Sequence, residues 1–155
     1  MKYSGVCIAV RDVKLARKFY EDLFGLEVFQ DYGINVSFNC GISIQQEFDE
    51  IAGIPKETVI MKPHNMELYF EESAFDEFVR KLSQYPGINY LSGGVKEAGW
   101  GQRSIRFYDL DGHIIEVGEN LKMVVMRFLD SGMSMEETSK RMDVSIPDLE
   151  KLLNS

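Results

Sequence analysis

Residues 100–119, WGQRSIRFYDLDGHIIEVGE, decide the fold. β-branched and aromatic residues fill 104–108 and 114–117, and a turn containing aspartate and glycine separates them, which predicts two strands joined as a hairpin. The side-chain period of two places Glu116 among apolar neighbours in the second strand. Because a buried carboxylate costs free energy unless it is paired, Glu116 is a candidate functional residue.

The composition predicts one globular domain. The chain has 155 residues, of which 45% are hydrophobic and 27% charged. A net charge of −8 argues against a surface that binds phosphate backbones or anionic lipid. We expect Cys7 and Cys40 to be reduced thiols in a cytoplasmic protein, with Cys7 buried and inert. The N-terminus shows no export signal, and no apolar stretch is long enough to span a membrane.

The first half of the chain alternates strands with one helix. Residues 2–10 predict a strand, and Asp12 is the expected N-cap of a helix that ends at Gly25. Residues 47–65 contain two prolines and a glycine, which favour a connecting loop with a short helical turn. Three further short strands are predicted, at 27–32, 35–39 and 42–46.

The same order then recurs. A strand is predicted at 66–71, a helix capped by Ser73 follows, and three strands come after it, at 88–91 and in the hairpin. Strand, helix and three strands thus occur twice, at about 1–48 and 65–118, which indicates an internal structural repeat. Two similar halves are typical of a protein with one cavity between them.

Three segments carry a family resemblance. They are VRDVKLARKFYEDLFGLEV after the first strand, ELYFEESAFDEFVRKL at the start of the second half, and the hairpin itself. Together they resemble the vicinal oxygen chelate superfamily of glyoxalases, bleomycin-resistance proteins and extradiol dioxygenases. The resemblance implies an α+β fold in which two βαβββ modules form a half-barrel over residues 1–119, followed by a helical extension at 120–155. It also implies a homodimer.

The resemblance further implies four positions for metal ligands. Carried onto this chain, they fall at Gly5, Gln45, Glu67 and Glu116. Glycine offers no side chain, so one ligand is missing, and the remaining oxygen donors suit Mg²⁺, Mn²⁺ or Ca²⁺ better than Zn²⁺. The cofactor expected on these grounds is a divalent metal, such as Mn²⁺, Mg²⁺ or Ni²⁺, held by Glu67 and Glu116, or no cofactor at all.

Three roles stay open for Glu67 and Glu116. They could bind a metal, or share a proton as catalytic base and acid, since neighbouring like charges raise one pKa. They could also be structural, each paired with an arginine such as Arg103 or Arg106. The residues expected to contact a substrate are Gln45, Tyr69, Trp100 and Arg103.

The C-terminal residues form an extension of three predicted helices. The last two look like half of a helix-turn-helix unit, with Ser134 and Glu137 in a capping-box pattern. From Glu119 onward, however, seven acidic residues outnumber five basic ones, which argues against nucleic acid as a partner. We expect the apolar residues of this extension to pack against the domain or a second subunit.

Two functional hypotheses lead. The first is a glyoxalase-related enzyme of the lyase or isomerase type, in which Glu67 and Glu116 act on a small oxygenated metabolite. The alternative is a metal-free protein of the bleomycin-resistance type that binds a planar drug or metabolite on Trp100. A ligand-sensing regulator that binds DNA is the weakest hypothesis on charge grounds.

Overall fold

The computed structural model describes the whole chain, Met1–Ser155, as an α+β protein. Its strands are β1 Val6–Ala9, β2 Val28–Asp31, β3 Asn35–Phe38, β4 Ile42–Gln45, β5 Glu67–Glu72, β6 Asn89–Tyr90, β7 Lys96–Glu97, β8 Arg103–Tyr108 and β9 Ile114–Glu119. Its helices are α1 Val13–Phe24, α2 Phe48–Ala52, α3 Phe75–Gln84, α4 Leu121–Asp130, α5 Met135–Met142 and α6 Ile146–Asn154, with a 3-10 turn at Lys56–Thr58.

The chain divides into two compact units. Unit 1 comprises Met1–Glu67, Gly87–Asn89 and Tyr108–Ile114, and unit 2 comprises the remaining segments, Leu68–Pro86, Tyr90–Phe107 and Ile115–Ser155. Unit 1 holds a sheet of order β1-β4-β3-β2, in which β1 runs parallel to β4 and the other pairs are antiparallel. The parallel pairing brings the carboxyl ends of β1 and β4 to one edge of the sheet.

Helix α1 of unit 1 begins and ends where the sequence predicts. The Asp12 side chain accepts hydrogen bonds from the backbone N–H groups of Lys14 and Leu15, and Gly25 ends the helix with a left-handed φ of 65°. The helix buries its apolar face in the core of unit 1. The buried residues of the helix are Val13, Ala16, Phe19, Tyr20 and Leu23.

The second sheet repeats the strand order of the first. It runs β5-β9-β8-β6, with β7 paired to β8 in addition. In both sheets the first strand of the module lies beside the last, so the expected α+β fold of two βαβββ modules is confirmed. Two details were predicted wrongly. Ala74, without a side-chain hydrogen bond, takes the N-cap position of α3 that Ser73 was expected to fill, and the two-residue strand β7 was missed.

The three C-terminal helices pack on one another within unit 2. Their shared core is Val124, Val125, Phe128, Met142 and Leu149. Ser134 and Glu137 form the predicted capping box, and Asp143 reverses the chain between α5 and α6 with a left-handed φ of 55°. The Phe128 ring lies so close to Gly101 that a Cβ there would be 2.1 Å from it. None of the six helices has the length and apolar character needed to cross a membrane.

Candidate functional site

The turn of the hairpin is a structural centre of unit 1. The buried Asp109 carboxylate accepts hydrogen bonds from the Tyr20 hydroxyl (2.7 Å) and from the backbone N–H groups of Asp111 and His113 (2.9 and 2.8 Å). The His113 Nδ1 atom lies 2.7 Å from the same carboxylate. Burial opposes ionisation of Asp109, but the bonds from His113 and Tyr20 outweigh it and lower its pKa. The aspartates of the motif therefore hold the turn.

A polar face covers one side of the second sheet, within unit 2. Alternation along β8 and β9 places Ser104 and Arg106 on the same side as Glu116 and Gly118. The Arg106 Nη1 atom lies 3.4 Å from the Ser104 hydroxyl. The polar face consists of Tyr69, Gln102, Ser104, Arg106, Glu116 and Gly118.

An ion pair lies on this face. The guanidinium of Arg106 donates to the Glu116 carboxylate, whose side chain is only 11% exposed. This contact matches the structural alternative raised from the sequence, in which an arginine accompanies the glutamate. Because guanidinium and carboxylate neutralise each other, Glu116 is tolerated among apolar residues.

Two half-exposed aromatic rings are fixed at one end of the polar face. The Trp100 indole N–H donates to the Gln102 side-chain oxygen (3.2 Å), and the Gln102 amide donates to the Tyr69 hydroxyl (3.0 Å). The same amide donates to the Glu119 carbonyl oxygen (2.9 Å). Gly118 provides room, because a Cβ there would lie 3.0 Å from both the Gln102 amide and the Tyr69 hydroxyl. The rings are thus held in place while about half of each stays in solvent.

The Tyr69 hydroxyl keeps its proton at neutral pH. Partial burial raises the pKa of the phenol, and the negative charges of Glu71 and Glu116 raise it further, against a lowering contribution from Gln102. The hydroxyl donates to a Glu71 carboxylate oxygen at 3.1 Å. The polar face therefore holds one neutral phenol and one carboxylate paired with arginine.

Arg103, which was expected to contact a substrate, is engaged elsewhere. Its guanidinium binds the buried Glu119 carboxylate (2.9 and 3.1 Å) and Asp76 (2.9 Å), and it lies over the Phe75 ring at 5.1 Å. Arg127 binds the same Glu119 carboxylate (2.9 Å). Burial opposes the ionisation of Glu119, but the hydrogen bonds from the two arginines prevail and lower its pKa. These bonds hold Arg103 in the packing of unit 2, and its contact with a substrate stays a prediction.

Gln45 and Glu67 differ in exposure: Gln45 is buried and Glu67 is exposed. Gln45 is buried, its side-chain oxygen accepts from Asn35 (2.8 Å), and its amide donates to the carbonyls of Ile34 and Gln46 (3.1 and 2.7 Å). These bonds use the amide to hold the β2–β3 turn, so the predicted role in orienting a substrate gains no support. Glu67 is exposed and begins β5.

The position of the missing metal ligand is closed by backbone. Gly5 has a φ of 140°, and a Cβ on it would lie 1.8 Å from the carbonyl oxygen of Gly41. No three side chains of His, Cys, Asp or Glu lie close enough together to hold a metal ion. With no donor at Gly5 and with Glu116 bound to Arg106, the residues present do not fit a divalent metal.

Two further observations differ from the sequence predictions or extend them. Cys7, expected to be buried, is exposed, as is Cys40. Gln102 and Ser104 were missed as members of the polar face. The signal was available, because Gln102, Ser104 and Arg106 alternate with Arg103, Ile105 and Phe107 at the period of a strand.

Comparison with known proteins agrees with this fold. A model of the glyoxalase-like domain family matches residues 3–122. No curated protein matches the sequence. A protein of unknown function from Agrobacterium tumefaciens is 33% identical, with a TM-score of 0.66 over 77% of this chain and 94% of that one.

Two more distant structures share the fold alone. A glyoxalase/bleomycin resistance protein/dioxygenase family enzyme from Burkholderia phytofirmans is 18% identical, with a TM-score of 0.63 over 77% of this chain and 98% of that one. A lactoylglutathione lyase from Agrobacterium tumefaciens is 20% identical, with a TM-score of 0.59 over 77% of this chain and 94% of that one. The chain belongs to the glyoxalase-like family, within the vicinal oxygen chelate superfamily.

Proposed function

We propose that the protein binds a small, flat, oxygenated molecule on the polar face of unit 2 without a metal. The observation that carries the proposal is the Arg106–Glu116 pair, because it supplies an oriented cation on the polar face that ends at the two fixed aromatic rings, while occupying the carboxylate that a metal would need. Ligand sites typically combine apolar and aromatic surface with a few placed polar groups.

The half-exposed rings support a planar ligand. Trp100 and Tyr69 are each 49% exposed, and their hydrogen bonds through Gln102 limit their motion. A ring fixed before binding loses little entropy when a flat molecule stacks on it. Arg106 can then donate hydrogen bonds to a carbonyl, phenolate or carboxylate oxygen of that molecule.

The only tryptophan of the chain reports directly on this proposal. We expect planar aromatic carboxylates, phenols or quinones to quench Trp100 fluorescence in a saturable manner. The variant Gln102→Ala releases both rings and should weaken binding by about tenfold, the loss that follows from one or two hydrogen bonds. Gln84→Ala, at the exposed end of α3, is the matched control. Absence of saturable quenching across the panel refutes the proposal.

A second candidate is a lyase or isomerase activity on the same face. It would use Glu116 as the base and the neutral Tyr69 phenol as the acid, a combination that suits proton transfer next to a carbonyl, and it requires a substrate that displaces Arg106 from the Glu116 carboxylate. The pair of Glu67 and Glu116 expected from the sequence stays a prediction beside it. Proton NMR in D₂O can detect exchange at the α-carbon of dihydroxyacetone, a small carbonyl probe. Undiminished exchange in both Glu116→Gln and Tyr69→Phe would exclude this chemistry.

The homodimer and the cytoplasmic location expected from the sequence remain predictions. Sedimentation of the purified protein tests the first, and fractionation of cells that express the chain tests the second.

A further inference from the structure

A cavity of about 500 Å³ lies in unit 1, at the edge where the parallel strands β1 and β4 end. Its apolar lining comes from Val10 at the end of β1, Phe48 of α2, and Val59 and Met61 after the 3-10 turn. A volume of this size accommodates a molecule of several carbon atoms with an aromatic ring. None of the residues of the polar face of unit 2 lines it.

One wall of the cavity is held by a network of hydrogen bonds. The backbone N–H and the Nε atom of Arg11 both donate to the Asp111 carboxylate at 2.9 Å, and its Nη2 atom donates to the Leu110 carbonyl at 2.5 Å. The Gln46 side chain accepts from the backbone of Val13 at 3.1 Å. Asp111 is 6% exposed, and these bonds connect this wall of the cavity to the hairpin turn.

The segment that carries Met61 is held to Tyr108 by contacts of Lys62 and His64. His64 stacks on Tyr108 with ring centres 5.7 Å apart, and its Nε2 atom lies 2.5 Å from the Tyr108 hydroxyl. The Lys62 ammonium lies 4.5 Å from the centre of the same ring. Lys62 and His64 both adopt left-handed backbone angles, of 56° and 51°, and these contacts compensate for that strain. Met61 is therefore held against the cavity.

The charges around the cavity favour a cation. The positive charge of Arg11 is neutralised by its ion pair with Asp111. The other charged groups of the lining are the Lys56 ammonium and three carboxylates. None of these four remaining side chains forms an ion pair within the protein, so the balance of their formal charges is negative. The three carboxylates are Glu47, Asp49 and Glu50. We propose that this cavity is a second binding site, specific for an amphipathic amine whose apolar body contacts Phe48, Val59 and Met61.

The Met61 methyl group provides the readout. In full-length protein labelled with ¹³C at the methionine methyl groups, Met61→Leu assigns its signal. We expect 4-phenylbutylamine to shift this signal in a saturable manner, and 4-phenylbutyrate, of similar shape but opposite charge, to bind at least tenfold more weakly. An equal response to both probes, or a response to neither, overturns the proposal.

Substitution tests the role of charge. The triple variant Glu47→Gln, Asp49→Asn, Glu50→Gln should weaken binding of the amine by about tenfold, because it removes three partly solvated charges without changing shape. Glu57→Gln, in the 3-10 turn but outside the cavity lining, should leave it unchanged. Amine binding that survives the triple variant undiminished overturns the proposal. Trp100 quenching, measured in parallel, reports separately on the polar face.

Discussion

Gly5 and Gly41 approach so closely that a Cβ on Gly5 would lie 1.8 Å from the Gly41 carbonyl oxygen. This contact leaves no room for a side chain at the first ligand position of the superfamily pattern. The carbonyl of Gly41, in the β3–β4 turn, occupies the space that a side chain at position 5 needs. The loss of the ligand is therefore part of the packing of unit 1.

Replacing Gly5 should consequently destabilise the protein. We expect Gly5→Ala to lower the free energy of unfolding in urea by about 3 kcal/mol or more, through the collision and the unfavourable φ together. Gly33→Ala is the matched control, because Gly33 also has a positive φ but meets nothing within 4 Å. It should cost about 1 kcal/mol. Equal losses in the two variants would show that the contact with Gly41 is unimportant.

The Arg106–Glu116 pair should show coupling in a double-mutant cycle. Arg106→Met leaves a mostly buried carboxylate without its cation and should cost about 1–3 kcal/mol. Removing Glu116 as well, in Arg106→Met with Glu116→Leu, should restore part of that loss, since an apolar pair replaces an ionic one. Chemical denaturation of all four proteins measures the coupling energy. Strictly additive effects would contradict a direct interaction.

Glu119 should be more important for stability than any exposed acid. Its carboxylate is 3% exposed and binds both Arg103 and Arg127. We expect Glu119→Gln to cost about 3 kcal/mol, because two arginines lose their shared counter-charge. Asp148→Asn, which breaks a solvent-exposed pair with Lys151, should leave the unfolding midpoint almost unchanged. Thermal and urea unfolding distinguish the two variants.

Asp109 should make stability depend on acid pH. Its pKa is lower in the folded protein than its ordinary value of 3.8, so the unfolded chain binds the proton more tightly. The stabilisation is complete above pH 3.8 and is lost as the pH falls through the lower, folded pKa. In Asp109→Asn the free energy of unfolding should change less steeply below pH 4 than in the wild type. The exposed Asp22→Asn serves as control, and a slope unchanged by Asp109→Asn would refute the assignment.

The fold was predictable because its signals are local. Asp12 and Gly25 mark the two ends of α1 by their own chemistry, and the alternation in β9 identifies a strand whatever it packs against. The N-cap predicted at Ser73 was wrong because a neighbouring side chain forms the hydrogen bond instead. The Glu72 side chain accepts from the backbone of Ala74 at 2.7 Å and so satisfies that end of α3 from one residue earlier.

The site was less predictable because its partners are distant in sequence. Nothing local shows that Gln45 bonds across the β2–β3 turn or that Arg103 reaches Glu119. The choice between Arg103 and Arg106 as the partner of Glu116 depends on which face of β8 each occupies. Strand periodicity assigns that face correctly once Gln102 is included in the strand pattern.

The membership of Tyr108–Ile114 in unit 1 has a consequence for how the chain folds. The Tyr20 hydroxyl and the Arg11 guanidinium bind aspartates that lie 89 and 100 residues further along the chain. On the ribosome, unit 1 therefore lacks its last segment until the first two segments of unit 2, Leu68–Pro86 and Tyr90–Phe107, have been synthesised. Closing such long loops is slow. The buried Tyr20 hydroxyl and the Arg11 guanidinium thus lack their carboxylate partners for most of translation.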